Sequence, residues 1–290
     1  MLNELPPPLP IRTLLFVPGS RPERFAKAIA SGADAVILDL EDAVSATDKV
    51  MARDAVCAWL KASAPDEHPE HAVPERVGPF VIVRINARDT PFYHDDLAAL
   101  QNLRTLGVHG LMLPKCDQAS DLLALPDVGY WPMIESARGL ANAEAIGSVP
   151  GVQRLVFGSF DFQVDLGLDA DASETELAPY RAQLVLSSRL AGLAAPVDGV
   201  TTAWNDDAAL TQAVQRALRQ GFGAKLCIHP RQIPVVHAAM QPSEAELLHA
   251  RRVLEVAMAA DGAAVALDSS MVDRPIILRA QAVLGRSRSS

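Results

Sequence analysis

The sequence predicts an α/β chain folded as a TIM (β/α)8 barrel with a C-terminal helical extension. Three observations carry that reading. Eight short apolar runs recur along the chain, helical patterns fill the intervals between them, and the 290 residues suit a barrel of ~250 residues plus an appendage. The runs are too short for helices, and most lack the alternation of a half-exposed strand, as expected of parallel strands covered on both faces. Alternating strand and helix imply parallel neighbours joined by right-handed crossovers. Eight strands favour closure, with a doubly wound open sheet as the alternative.

In chain order the expected strands are residues 12–18 (RTLLFVP), 35–42 (AVILDLED), 80–86 (FVIVRIN), 110–115 (GLMLPK), 130–136 (YWPMIES), 154–161 (RLVFGSFD), 196–200 (PVDGV) and 224–230 (AKLCIHP). Between them, 22–31 reads as a helix behind Ser20 and ends before Gly32. Helical spacing of apolar residues also marks 49–62, 136–146, 177–192 and 206–220, the last closing at Gly221. Residues 1–10 are Pro-rich, without a basic segment or an apolar run of signal length, and read as an arm. Residues 65–79 form a polar, Pro-rich insertion expected to be a surface loop. After the eighth run, 243–260 is an amphipathic helix opening on Ser243, with Glu244 and Glu246 suited to its N-terminus. Residues 261–274 are small in composition, 275–284 read as a last helix, and the RSRSS end reads as frayed. The expected organisation is a catalytic barrel over 1–240 and a helical extension or lid over 241–290.

Composition narrows the function. Hydrophobic residues make up 49%, ample for a large core. A net charge of −9 argues against nucleic-acid or anionic-membrane binding, although a local Arg cluster can still take a small anion. Cys57, Cys116 and Cys227 are widely spaced, which fits a reducing cytoplasm and offers no zinc framework. No run approaches the ~20 apolar residues of a membrane span.

Reactive groups of such barrels project from the C-terminal ends of strands. Those ends carry Asp39, Glu41 and Asp42 after the second run, Arg84 and Asn86 in the third, and Lys115 after the fourth. Glu135 follows the fifth, Asp161 the sixth and His229 the eighth. Neighbouring strands lie ~4.8 Å apart, so Glu135 and Asp161 at matching heights can share one hard cation. Magnesium takes one or two protein carboxylates and leaves its other positions to water and substrate. For Glu135 the plainer alternative is a helix-capping carboxylate or a salt bridge to Arg138. Arg84 sits in an apolar strand and needs an anionic partner. That partner is either Asp39 or Glu41, or a substrate carboxylate gripped by the guanidinium fork. The segment PGSRPERF opens a helix whose N-terminus, with Arg21, Arg24 and Lys27, can take phosphate groups; such residues are also commonly just solvated. His229 faces the mouth as a ligand contact or a structural histidine, and Lys115 is a candidate partner for Glu135. No Walker sequence, GxGxxG, G-x-S-x-G elbow or Ser–His constellation is legible, and His68, His71 and His94 are assigned no role.

Taken together, RTLLFVPGSRPERFAKAIASGADAVILDLEDAV, VRINARDTPFYHDDL, MLPK, IESARGL, FGSFDFQVDLG, KLCIHPRQIPVV and MVDRPIILRA resemble the citrate lyase β-subunit-like branch of the HpcH/HpaI aldolase superfamily. The resemblance runs from about residue 12 to 284. It implies a phosphoenolpyruvate/pyruvate-type barrel, a trimeric or hexameric assembly, and a Mg2+ site that would also accept Mn2+. The family's metal carboxylates fall on Glu135 and Asp161, its substrate-binding arginine on Arg84, and its acidic pair on Glu41 and Asp42. In acyl-CoA lyase members a C-terminal aspartate completes a neighbouring subunit's site, and the matching position is Asp273. One departure stands out: many relatives read Glu-Asp where this chain has Phe160-Asp161.

The resemblance implies reversible cleavage of a 3-hydroxy-3-carboxyacyl-CoA, of citramalyl- or malyl-CoA type, to acetyl-CoA and a 2-oxo acid. Arg84 would neutralise carboxylate or enolate charge, Asp273 would exchange the enolate proton, and Arg21 and Arg24 would steer the phosphates of coenzyme A. The rival expectations are a citrate lyase β subunit acting on a carrier-protein thioester, a malyl-CoA thioesterase, and a CoA-binding protein without catalysis.

Overall fold

The computed structural model describes residues 11–63, 78–101, 107–259, 265–268 and 270–287. The expected arm over 1–10, residues 65–77 of the expected insertion and residues 288–290 of the expected frayed end lie outside them. Eight parallel strands close into a barrel in sequence order. They are β1 (Thr13–Pro18), β2 (Ala35–Asp39), β3 (Phe80–Arg84), β4 (Gly110–Leu113), β5 (Gly129–Ile134), β6 (Val156–Phe157), β7 (Val197–Asp198) and β8 (Ala224–Cys227). The last strand closes on the first, with Leu15 opposite Cys227.

Side chains alternate faces along a strand, and the filled interior shows which parity points inward. Leu14, Ala35, Ile37, Ile82, Met112, Met133, Val156, Val197, Ala224 and Leu226 form one buried cluster with Trp131. Two residues further along the same columns stand Asp39 in β2, Arg84 in β3 and Glu135 just past β5. The interior is therefore apolar through its body and charged at its C-terminal rim.

Helices cover the outside. In α8 (Asp207–Arg219) the buried residues Leu210, Ala213, Val214 and Ala217 repeat at helical spacing, and Asp206 caps the N-terminus through Ala209 N at 2.9 Å. Gly221 then takes φ +97, which ends the helix at little steric cost. The sixth run departs from the expected strand over 154–161. Only Val156–Phe157 pairs as β-structure, and a helix over Ser159–Leu166 begins directly after Gly158. Ser159 and Phe162 are buried there at helical rather than strand spacing. Asp161 consequently stands in the first turn of that helix and not on a strand. The helix expected over 136–146 is divided at Asn142 into Ala137–Ala141 and Ala143–Gly147.

The chain divides into compact units, one spanning Ile11–His237 and one containing Ala238–Ser290. In the latter, Glu244–Ala259 and Arg274–Ser287 are helices flanking a hairpin of Val265–Leu267 and Ser270–Val272. Ala250, Val253, Ala257, Val272 and Ala280 form its core. The first helix opens behind Ser243 as expected, and Ser243 and Glu246 exchange capping bonds there. Among the described residues no helix is long and apolar enough to cross a membrane.

Candidate active site

Register brings the rim charges together. Asp39 and Arg84 are directly paired across β2 and β3. Asp39 holds the guanidinium bidentately, at 2.7 Å from Nε and 2.6 Å from Nη2. Glu41 takes Nη1 at 2.8 Å, Asp42 lies 3.7 Å away, and the guanidinium covers the Phe16 ring at 4.6 Å. Arg84 thus makes the internal pair that the sequence leaves as one alternative: Asp39 holds Nε and Nη2, and Nη1 meets Glu41 and the Met133 thioether at 4.0 Å. Burial works against the Arg84 cation, but the three carboxylates outweigh it and hold its proton more firmly than usual.

Glu41 bears the cost of that crowding. Burial pushes its carboxyl up to about 7, with Asp42 and Asp39 adding repulsion against the pull of Arg84. Lys49 reinforces the loop by donating to the carbonyls of Leu40 and Glu41 at 2.8 and 2.7 Å.

Glu135 is only 5% exposed. Its Oε1 accepts Lys115 N–H at 2.5 Å, and Lys115 adopts φ +49 to present that donor. A non-glycine residue in this region is strained, a feature that clusters at functional sites. The expected partnership of Lys115 and Glu135 is thus made by the backbone, while the Lys115 ammonium lies 3.9 Å from Glu41. Gly158 completes the cradle, because a Cβ there would come within 2.7 Å of the Glu135 Cβ. Burial pushes the Glu135 carboxyl up to about 8, helped by the negative charges of Asp161 and Glu41.

Glu135 and Asp161 both line a cavity of about 610 Å³, and Asp161 also borders a smaller one of about 350 Å³ over Arg84. Among the described residues no group of three or more His, Cys, Asp or Glu is arranged to hold a metal ion. A site here therefore depends on two carboxylates plus water and ligand oxygens, which is the way Mg2+ is usually bound. The donor set fits: both are hard oxygen ligands, and a cation would relieve the burial and the carboxylate repulsion that push Glu135 up.

The remaining expected residues are placed differently. Arg21 and Arg24 are exposed beside Glu23, at 2.7 and 3.9 Å. His229 stacks on Trp204 at 4.5 Å, and its Nδ1 accepts Arg231 N–H at 3.1 Å, which puts the proton of a neutral ring on Nε2. Trp204 escapes sequence reading because it stands in a polar loop with no periodic signal. Asp273, half-buried in the C-terminal unit, caps the last helix through Ile276 N at 3.4 Å.

An eight-stranded parallel α/β barrel with acidic and guanidinium groups at its C-terminal mouth is a TIM barrel. The chain belongs to the HpcH/HpaI aldolase/citrate lyase family, whose model matches residues 12–129 and 131–230. It is 33% identical over 294 residues to a citrate lyase subunit beta-like protein of Deinococcus radiodurans, covering 96% of this chain and 98% of that one. A (3S)-malyl-CoA thioesterase of Cereibacter sphaeroides is 32% identical over 288 residues, covering 97% and 95%. The solved structure of CitE from Mycobacterium tuberculosis, in complex with magnesium, acetoacetate and coenzyme A, superposes with a TM-score of 0.81 at 34% identity, covering 96% of this chain and 98% of that one.

Proposed function

We propose that the chain is a Mg2+-dependent carbon–carbon lyase cleaving a 3-hydroxy-3-carboxyacyl-CoA, of citramalyl- or malyl-CoA type, to acetyl-CoA and a 2-oxo acid. The observation that supports it most is the meeting of Glu135 and Asp161 at one cavity whose neighbour is roofed by Arg84. The magnesium and coenzyme A in the CitE complex support the choice of ion and thioester. Glu135 and Asp161 would hold the cation, which would supply Lewis acidity when bound.

The protein's own groups do the rest. Arg84, locked by Asp39, turns Nη1 toward the substrate carboxylate and the developing enolate. Glu41, with its carboxyl near 7, takes the hydroxyl proton at neutral pH, and Asp42 raises its basicity. The bond between the hydroxyl-bearing carbon and the methylene breaks. Its electron pair passes to the methylene as a thioester enolate, and the hydroxyl carbon becomes the ketone of the 2-oxo acid. Asp273, contributed by a second copy, delivers the proton that converts the enolate to acetyl-CoA. Both carboxyls then reset by exchange with solvent. Arg21 and Arg24 steer the phosphates of the CoA tail, and His229 contacts the ligand at the rim. The working unit is a cytoplasmic homotrimer or homohexamer, with a catalytic barrel over 1–240 and a lid over 241–290.

A second reading has its own support in the likeness to a malyl-CoA thioesterase: the same site would end in thioester hydrolysis. Incubation with citramalyl- and malyl-CoA, with and without Mg2+, decides between them. Acetyl-CoA with an equal amount of 2-oxo acid is expected, and Glu135→Ala should abolish it while the fold survives. Free hydroxy acid and coenzyme A without 2-oxo acid would establish the thioesterase instead.

A further inference from the structure

We infer that the smaller cavity selects substrates whose hydroxyl-bearing carbon carries a short alkyl branch, with Phe160 and Ile228 as the specificity-determining residues. The inference rests on the lyase reading and names the class of acyl group that reading leaves open.

The polar lining of the cavity over Arg84 is Asp39, Asp42, Arg84, Ser159 and Asp161, with Asp39 and Arg84 bonded to each other and Asp161 shared with the larger cavity. Its apolar lining includes Phe16, Met133, Val200 and Leu226. At its rim stand Phe160, in the first turn of the Ser159–Leu166 helix, and Ile228, one residue past β8. These two remain 47% and 39% exposed, whereas Phe157 and Phe162 on either side of Phe160 are fully buried. Large apolar side chains left wet around a cavity mark a surface that an apolar ligand group would dry.

The reacting carbon of the substrate has four substituents. Its hydroxyl and carboxylate are drawn to the Glu135–Asp161 side and to Arg84, and its methylene arm must lead out toward the coenzyme. The fourth substituent is left to face Phe160 and Ile228. A hydrogen there would leave the wall in water. A carboxymethyl group would set a carboxylate against two apolar side chains with no counter-charge, a costly burial. A methyl or ethyl group fills the space and loses nothing. A single methylene in an apolar pocket is worth roughly 10- to 200-fold in discrimination.

The test compares 2-oxo acids, the products that retain the fourth substituent, by calorimetry on the full chain in saturating Mg2+. Pyruvate and 2-oxobutyrate carry methyl and ethyl, glyoxylate carries hydrogen, and oxaloacetate carries carboxymethyl. The alkyl acids should bind about tenfold or more tightly than the other two. Ile228→Ser, at a residue that lines the smaller cavity and not the larger one, and Phe160→Ala should each shrink that ratio while Mg2+ still binds. Glyoxylate or oxaloacetate binding as tightly as pyruvate overturns the inference and leaves the lyase reading standing, as does a ratio unmoved in both variants. Should no 2-oxo acid bind in the presence of Mg2+, the lyase reading itself fails and the inference with it.

Discussion

Two buried charge clusters occupy different sectors of the barrel, and their balances are opposite. On the β7–β8 side, Asp198 is held between Arg181 at 2.9 Å and Lys225 at 2.8 Å, and Glu174 joins Arg181 to Arg216 at 2.5 and 2.8 Å. Two carboxylates there face three cations, and the fully buried Arg181 also lies over Phe157 and Phe222. On the β2–β5 side, Asp39, Glu41, Asp42, Glu135 and Asp161 face only Arg84, Lys49 and Lys115. In the first cluster cations outnumber carboxylates, and Arg181 Nε and Arg216 Nε are buried without a hydrogen-bond acceptor. The second carries surplus negative charge, and burial together with that surplus pushes the carboxyls of Glu41 and Glu135 up to about 7 and about 8.

The largest expected effect breaks the β7–β8 cluster. Asp198→Ala leaves buried Lys225 without its acid and buried Arg181 with Glu174 alone, at a cost of about 3–5 kcal/mol. Urea denaturation should show that loss, and Mg2+ should not restore it. Glu135→Gln, which keeps the acceptor for Lys115 N–H but removes a surplus charge, should leave metal-free stability at pH 8 unchanged or higher. The contrast between the clusters collapses if the two substitutions rank the other way.

The next effect sharpens the contrast through pH. In the unfolded chain these glutamates ionise near the ordinary 4.5, whereas in the folded protein Glu41 and Glu135 hold protons to about 7 and about 8. The folded state therefore binds more protons between those values, so metal-free stability falls as pH rises from about 4.5 and levels off above about 8. Mg2+ requires ionised ligands, so its binding at pH 7 should release close to one proton. Calorimetry in buffers of different ionisation enthalpy measures that release. It should vanish above pH 9 and in Glu135→Gln, and a buffer-independent heat at pH 7 would remove Glu135 from the metal site.

How far the sequence carries this picture depends on the kind of signal. The barrel is legible because eight apolar runs and their intervening helices are each written in local periodicity, and every run overlaps its strand, the fifth strand starting one residue ahead of its run at Gly129. Glu135 and Arg84 are legible because two-residue alternation extends the inward columns of Met133 and Ile82. Asp161 is found for a reason only partly right: its run reads as strand throughout, yet the backbone turns into a helix at Gly158, a change of period too short to see. The helix over Gln232–Met240 goes unread because it is apolar on most sides and carries Pro234, which its first turn tolerates. What Arg84 bonds to, and that His229 lies on Trp204, are facts of register between distant segments. No local pattern encodes them.

The smallest effect separates a solvated charge from a working one. Arg21 and Arg24 have 52% and 54% of their side chains exposed and an acidic neighbour in Glu23, so neither cluster depends on them. Replacing both with alanine should leave the melting temperature where it is. If they steer coenzyme phosphates, KM for the CoA thioester should rise roughly two- to fivefold, the scale of an exposed charge contact, with kcat unchanged. The difference from wild type should shrink as salt screens the interaction. A KM that does not move at low salt would assign the phosphates to other cations, and Arg88, Lys115 and Arg138 around the larger cavity are the next to substitute. Of these, Arg88 is already engaged by Asp121 and Lys115 lies near Glu41, so Arg138 would be the first choice.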